Sequence, residues 1–208
     1  MTRFPCHDGI SWHPRSVIDR YSPGQVEWTR YHHPGETGLT GEMLRRMCPR
    51  PEDGQVFDQG NGVTLAGTAN LALVLAGAGG YPLVPGRAAF GVGSDAAEFD
   101  REHVHLANAS GEEPGRSWYR MMDAGYPRVT RTGVIEGQAT FTESEACFEW
   151  HEWCWGTGPL LPEAHHSLRG AYAGEQPVMI NRKASLQGYG VKEPGVAWVF
   201  RTEVTLLG

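Results

Sequence analysis

From residue 128 onward the hydrophobic positions recur every second residue. Ile135, Ala139 and Phe141 alternate with Gln138 and Thr140, which is the period of a strand with one buried face. VAWVFRTEVTLL at 196–207 shows it most cleanly, placing Val196, Trp198, Phe200, Val204 and Leu206 on one side. Residues 146–155 and 178–188 predict two further strands, and RAAFGVGSD at 87–95 predicts a strand running into a glycine-rich turn. The intervening segments suit hairpins rather than helical crossovers, so the sheet should be antiparallel.

Helical spacing occurs in three places. Residues 40–48 combine an N-cap residue, Thr40, with Met43, Leu44 and Met47, and Pro49 stops the run. VTLAGTANLALVLAG at 63–77 predicts a buried helix with Leu71, Ala72 and Leu75 on one stripe, ended by Gly79 and Gly80. SWYRMMDAG at 117–125 predicts a helix capped by Ser117 and ended by Gly125, with Pro127 just beyond. Residues 1–36 differ from the rest, with Pro5, Pro14, Pro23 and Pro34 and few aliphatic side chains. Such a segment cannot build its own core, yet Phe4, Trp12, Trp28 and Tyr31 need something to dock on. The fold class expected is therefore α+β, mainly β: an antiparallel sheet or β-sandwich with two or three short helices. An extended arm over 1–36, contacting its own domain or a neighbouring subunit, precedes a single globular domain over 37–208.

Composition narrows the function. Hydrophobic residues make up 40% of the 208 and charged residues 20%, enough for a packed core. The 28 glycines and 14 prolines fit many turns. The formal charge is −6, and the only adjacent basic pairs are Arg45-Arg46 and Arg182-Lys183, which argues against nucleic acid as a partner. No apolar run is long enough to span a membrane, and the first residues lack the apolar core of a signal peptide, so no membrane association or secretion is expected. Cys6, Cys48, Cys147 and Cys154 form no C-x-x-C pair and read as reduced thiols.

CFEWHEWCW at 147–155 concentrates the candidate chemistry. As a strand, Phe148, Trp150, Glu152 and Cys154 face one way, and Cys147, Glu149, His151, Trp153 and Trp155 the other. Both faces hold tryptophan, which a bulge near His151-Glu152 would reconcile. Cys147, Glu149 and His151 share a face and could begin a metal site, but no second histidine stands four residues after His151. His103 and His105, and the adjacent pairs His32-His33 and His165-His166, read as exposed loop histidines. GVGSD lacks the lysine and third glycine of a phosphate loop, and no G-x-S-x-G occurs. No catalytic residue and no cofactor is expected, and the tryptophan segment reads as core.

Five blocks in order carry a resemblance: AAFGVGSDAAEF at 88–99, YRMMDAGYP at 119–127, GQATFTESEACFEWHEW at 137–153, VMINRKASLQGYG at 178–190 and AWVFRTEVTLL at 197–207. Together they resemble a family of tailed-bacteriophage virion structural proteins, over roughly residues 65–208. The matched positions are Gly91, Gly93, Asp123, Gly125, Tyr126, Pro127, Phe148, Trp150, Glu152, Trp153, Asn181, Arg182 and Lys183. Cys147 stands where that family prefers asparagine, 156–176 is longer than its loop, and the N-terminal 60 residues are not covered. The resemblance implies a structural signature rather than an active site, with Glu152 paired to Arg182 or Lys183. It implies a virion protein assembled in the host cytoplasm, self-associating and bound to the major capsid protein or other virion proteins. Within that class a capsid decoration or cement role is expected, with the arm making the contact. The alternatives are a tail, collar or baseplate component, a metal-dependent enzyme using Cys147, Glu149 and His151, and a sugar-binding module with exposed tryptophans.

Overall fold

The computed structural model describes residues 11–35, 38–58, 62–106, 116–131, 133–159 and 177–207. Two five-stranded antiparallel sheets face each other. The first consists of β1 (Ser11–Tyr21), β2 (Asp53–Asp58), β6 (Arg128–Arg131), β7 (Val134–Phe141) and β12 (Ala197–Leu207), in the order β2-β1-β12-β7-β6. The second consists of β3 (Gly62–Val63), β4 (Ala88–Gly93), β5 (Ser117–Met121), β9 (Glu152–Thr157) and β10 (Val178–Ala184), in the order β3-β10-β9-β4-β5. A small pair, β8 (Glu149–Trp150) with β11 (Gly190–Val191), completes the strands. The helices are α1 (Pro23–His32), α2 (Gly41–Met47) and α3 (Leu65–Leu75). This is the mainly β, antiparallel α+β architecture that the alternation implies.

The core between the sheets is aromatic. β7 and β12 send in Phe141, Trp198 and Phe200; β4 and β9 send in Phe90, Trp153 and Trp155; Trp150 joins them from β8. The rings meet edge-on or tilted, Phe90 to Phe200 and Trp150 to Trp198 both at 4.8 Å between centroids. Trp155 Nε1 crosses the core to donate to Thr202 Oγ1 on the opposite sheet at 3.0 Å, and Trp150 Nε1 donates to the Ala146 carbonyl at 2.9 Å. Each indole thus buries its ring and still satisfies its N–H. The outer face of the first sheet is covered by α1 and α2, where Val26, Leu39 and Leu44 pack on Tyr21, Ala197 and Val199. On the outer face of the second sheet, Ala89, Tyr119, Cys154 and Met179 pack against Leu106. β12 is therefore buried on both sides rather than on one.

Four expectations change. Residues 11–32 are not an arm. β1 is an inner strand, paired with β12 from Ser11↔Leu207 to Tyr21↔Ala197 and with β2 on its other side, and 23–32 is α1. Phe4 lies outside the described residues. Residues 117–121 form a strand, not a helix. Their burial alternates, Ser117 and Tyr119 buried and Trp118 and Arg120 half-buried, and the segment pairs with β4 from Gly93↔Ser117 to Ala89↔Met121. Helical caps at Ser117 and Gly125 were compatible with the sequence, but the two-residue period is the one the neighbouring edge selects. The slip in CFEWHEWCW is a change of sheet: β8 ends at Trp150, β9 begins at Glu152, and His151 lies between them. A register shift does occur nearby, on β10 between Met179 and Asn181.

The fourth change concerns α3. Its ends are as expected, with Thr64 as N-cap accepting from Gly67 N at 2.9 Å. Its burial is not: Gly67 and Asn70 face inward, Leu71 is half-buried, and Ala72 and Leu75 are exposed.

Candidate functional site

The matched signature residues assemble in two places. At the first, β4, β9 and β10 bring together Gly91, Gly93, Glu152, Trp153, Asn181 and Arg182. The two glycines lie within β4, not in a turn after it. Their reason is space: a Cβ on Gly93 would stand 2.4 Å from Glu152 Oε1, and one on Gly91 2.4 Å from the Tyr119 ring. Gly93→Ala is therefore expected to lower stability by about 1–3 kcal/mol through overpacking, read as a lower urea midpoint.

Into that space Glu152 places a fully buried carboxylate, and Arg182 Nε donates to it at 2.6 Å. Of the two partners expected for Glu152, Arg182 is the one that makes this bond. The other guanidinium nitrogens donate to the carbonyls of Glu98 at 3.0 Å and Ala97 at 2.8 Å. Arg182 thus ties the loop after β4 down onto the second sheet, and its donors are committed to the protein. Asn181 Oδ1 accepts from Trp155 N at 3.0 Å, filling the register shift between β9 and β10. Half-buried Lys183 lines an open groove of about 340 Å³ with Gly62, Phe99, Ala184 and Leu186.

At the second place, Asp123 lies in the turn between β5 and β6. Its carboxylate accepts from Gln138 Nε2 and Thr140 Oγ1, both at 2.7 Å, from Thr140 N at 3.0 Å and from Gly41 N at 3.3 Å. One side chain thereby fastens the start of α2 to β7. Arg45 on α2 adds a bond to Gln138 Oε1 at 2.5 Å. Gly125 supplies the left-handed backbone of the turn, φ +83°, before the cis Tyr126-Pro127 peptide. Tyr126 is buried, with the Arg128 guanidinium 4.6 Å above its ring. Phe148 packs against the edge of the aromatic core. Nothing in the sequence marked Gln138 or Arg45 as members of this network.

The candidate metal ligands are engaged elsewhere. Cys147 Sγ donates to the Glu143 carbonyl at 3.4 Å, and His151 makes a bond to Ser185 O at 3.0 Å with its other nitrogen 3.3 Å from Glu149. Among the described residues no group of three His, Cys, Asp or Glu could hold a metal ion. Cys154 is enclosed, and burial pushes its thiol far above the ordinary range, which keeps it from acting as a thiolate.

Large apolar side chains also stand open to solvent. Trp28 and Tyr31 are 53% and 77% exposed on α1, each against the ring of His32, with centroids 4.2 and 5.1 Å away. Pro23 opens this helix, Ser22 N donates to Gln25 Oε1 at 3.0 Å, and Gln25 Nε2 donates to Arg50 O at 2.9 Å. Arg30 on its last turn makes a two-pronged bond to Glu143, at 2.8 and 2.9 Å. The platform is thus held at both ends, and its aromatic side chains need little ordering to make a contact. The side chain of Trp12 lies outside the described features of β1.

The Arg30 bond, against a smaller opposing effect of burial, holds the Glu143 carboxyl below its usual range. A lowered carboxyl stabilises the fold above its unfolded value of about 4.3 and loses that contribution as pH falls through the folded value. Arg30 is half exposed, so the effect is small, under about 1 kcal/mol. Arg30→Gln should lower the thermal midpoint slightly at pH 7, and the difference should shrink as pH falls below the unfolded carboxyl value of about 4.3. A difference independent of pH would mean that Arg30 acts by packing alone.

No helix among the described residues is long and apolar enough to cross a membrane. No family model, no curated protein and no solved structure matches this chain.

Proposed function

We propose that this chain is a structural, non-catalytic protein of a tailed-bacteriophage virion, and within it a decoration or cement protein bound to the major capsid protein of the head. One observation carries the reading. The signature side chains with described bonds are spent on one another: Arg182 on Glu152 and the loop after β4, Asp123 on α2 and β7, Asn181 on the β9–β10 register. They make a rigid frame, and Trp28 and Tyr31, among the large side chains left outside it, are the exposed aromatics on a fastened helix. A shell-binding protein needs that division, a frame that does not deform and a small aromatic anchor. The anchor proposed here is α1, not a detachable arm.

Quantitative mass spectrometry of purified particles tests the class. A copy number close to that of the major capsid protein, or a simple fraction of it, is expected. A few copies per particle would move the chain to the tail, collar or baseplate, and absence from the particle would end the virion reading. The anchor is tested separately with Trp28→Ala/Tyr31→Ala. Binding to empty shells should fall at least tenfold with an unchanged thermal midpoint, and undiminished occupancy would remove α1 as the contact.

A further inference from the structure

Lys192, just after β11, is a lysine sealed inside the protein, 1% exposed. Its Nζ donates to the Thr142 carbonyl at 2.7 Å and stands 3.9 Å from Cys147 Sγ. The acidic side chains that act on it, Glu143 and Glu145, each bond an arginine instead: Arg30 holds Glu143 at 2.8 and 2.9 Å, and Arg120 holds Glu145 at 2.9 Å. A lysine ordinarily keeps its ammonium in water, and burial without a bonded carboxylate disfavours the charge. Burial lowers the Lys192 pKa against smaller opposing effects of the Cys147 thiol, Glu145 and Glu143, and so raises the share of neutral, nucleophilic amine.

Cys147 is the complement. It is a free thiol and half-buried, whereas the lysine behind it is sealed, so an oxidant arriving from solvent meets the sulfur first. The other described thiols differ: Cys154 is enclosed, and Cys48 contacts Thr29 and the Gln25 carbonyl rather than an amine. The backbone fixes the pair, because Lys192 N donates to Phe148 O at 3.1 Å and Val191 pairs with Glu149 across β8 and β11. The nitrogen therefore waits within about 1 Å of the ~3–3.5 Å separation from which bonds form.

We propose that Cys147 and Lys192 are a modification site, joined by hydrogen peroxide into a sulfenamide link between Sγ and Nζ. In the first step the peroxide O–O bond breaks, one oxygen joins Sγ as a sulfenic acid, and the other leaves as water. In the second the neutral Nζ attacks Sγ, the N–S bond forms and the S–O bond breaks, and the departing oxygen takes a proton from Nζ to leave as a second water. Sulfur is oxidised by two electrons and peroxide is reduced by two. Lys192 plays the part that a backbone nitrogen plays in other sulfenamides, and a thiol reverses the link by attacking Sγ and releasing the amine. The link ties the segment before β8 to the residue after β11, and so closes the small sheet that carries Trp150 into the core.

Peptide mapping of the full chain after peroxide treatment tests this, and the outcome does not depend on the virion reading. The native chain should yield a peptide pair joined through Cys147 and Lys192, two hydrogens lighter than the separate peptides and released by dithiothreitol. Cys147→Ser should give no such pair, and Cys48→Ser should give it as the parent does. Lys192→Met, where it folds, should accumulate sulfinic acid at Cys147 instead. The parent chain unfolded in urea before treatment should not form the link, since the approach of the two groups belongs to the fold. Recovery of native Cys147 as sulfinic acid or as a disulfide, with Lys192 unmodified, overturns the proposal, as does a link that forms equally well in urea.

Discussion

Arg182→Met is expected to destabilise the fold by about 3–5 kcal/mol, most of what a domain of this kind has in hand. The side chain is fully buried, and so is the carboxylate it faces. Methionine would fill much of the volume but leave Glu152 charged in the interior, wedged against Gly93, with no cation. The carbonyls of Ala97 and Glu98 would lose their donors at the same time, which frees the loop after β4. The companion variants separate charge from shape. Glu152→Gln keeps the volume and an acceptor for Arg182 but leaves the guanidinium buried without a counter-charge, and should also be strongly destabilised. Arg182→Met/Glu152→Leu removes both charges and should recover a large part of the loss, because a buried pair stabilises mainly by comparison with its own halves. Urea unfolding with an unchanged slope measures all three. A loss under about 1 kcal/mol for Arg182→Met would show that the pair is not enclosed as described.

That pair was partly legible beforehand. The resemblance implied that Glu152 pairs with Arg182 or Lys183 from a neighbouring strand. The choice of Arg182 over Lys183 depended on register, and the β10 shift between Met179 and Asn181 sets that register. The sandwich as a whole followed from the two-residue period, because half-buried strands announce themselves in hydrophobic letters. What failed did so for two reasons. Residues 117–121 carry cap and stop signals on both sides, and local signals there outweighed a short alternation that tertiary pairing later enforces. In α3 the apolar composition was read as burial within the chain. The packing instead follows close approach: α3 meets β10 at Gly67, where a Cβ would strike the Ile180 carbonyl, and this leaves Ala72 and Leu75 exposed. Gln138 could not have been found at all. It is a polar residue of ordinary appearance on β7, given its role by Asp123 and Arg45, distant in sequence.

Deleting residues 1–21 is expected to abolish cooperative folding, which is the opposite of what an arm predicts. The N-terminal segment hid its strand because the period there is written in unusual residues: Pro14, Ser16 and Ile18 are buried while Arg15 is exposed and Val17 half-buried. Pro14 sits opposite Val204 of β12, just outside the described pairing with β2, which begins at Arg15↔Asp58. The deletion would remove the strand between β2 and β12, leaving β2 without its neighbour and β12 paired with β7 alone. It would strip Ile18 from the aromatic core and Tyr21 from the layer beneath α1 and α2. It would also leave Arg201 without Asp19, its partner at 2.8 Å. Losing two large buried side chains alone costs more than about 5 kcal/mol, comparable with the stability of a typical domain, before any ladder bond is counted. The truncated chain should show no thermal transition by circular dichroism and should collect in the insoluble fraction on expression. A truncated chain that melts cooperatively within a few degrees of the parent would return β1 to the status of an accessory segment. The comparison with Trp28→Ala/Tyr31→Ala then becomes informative, because those exposed positions should leave the midpoint unchanged. The same 36 residues would contain one element the fold cannot lose and, just after it, the side chains it has no use for internally.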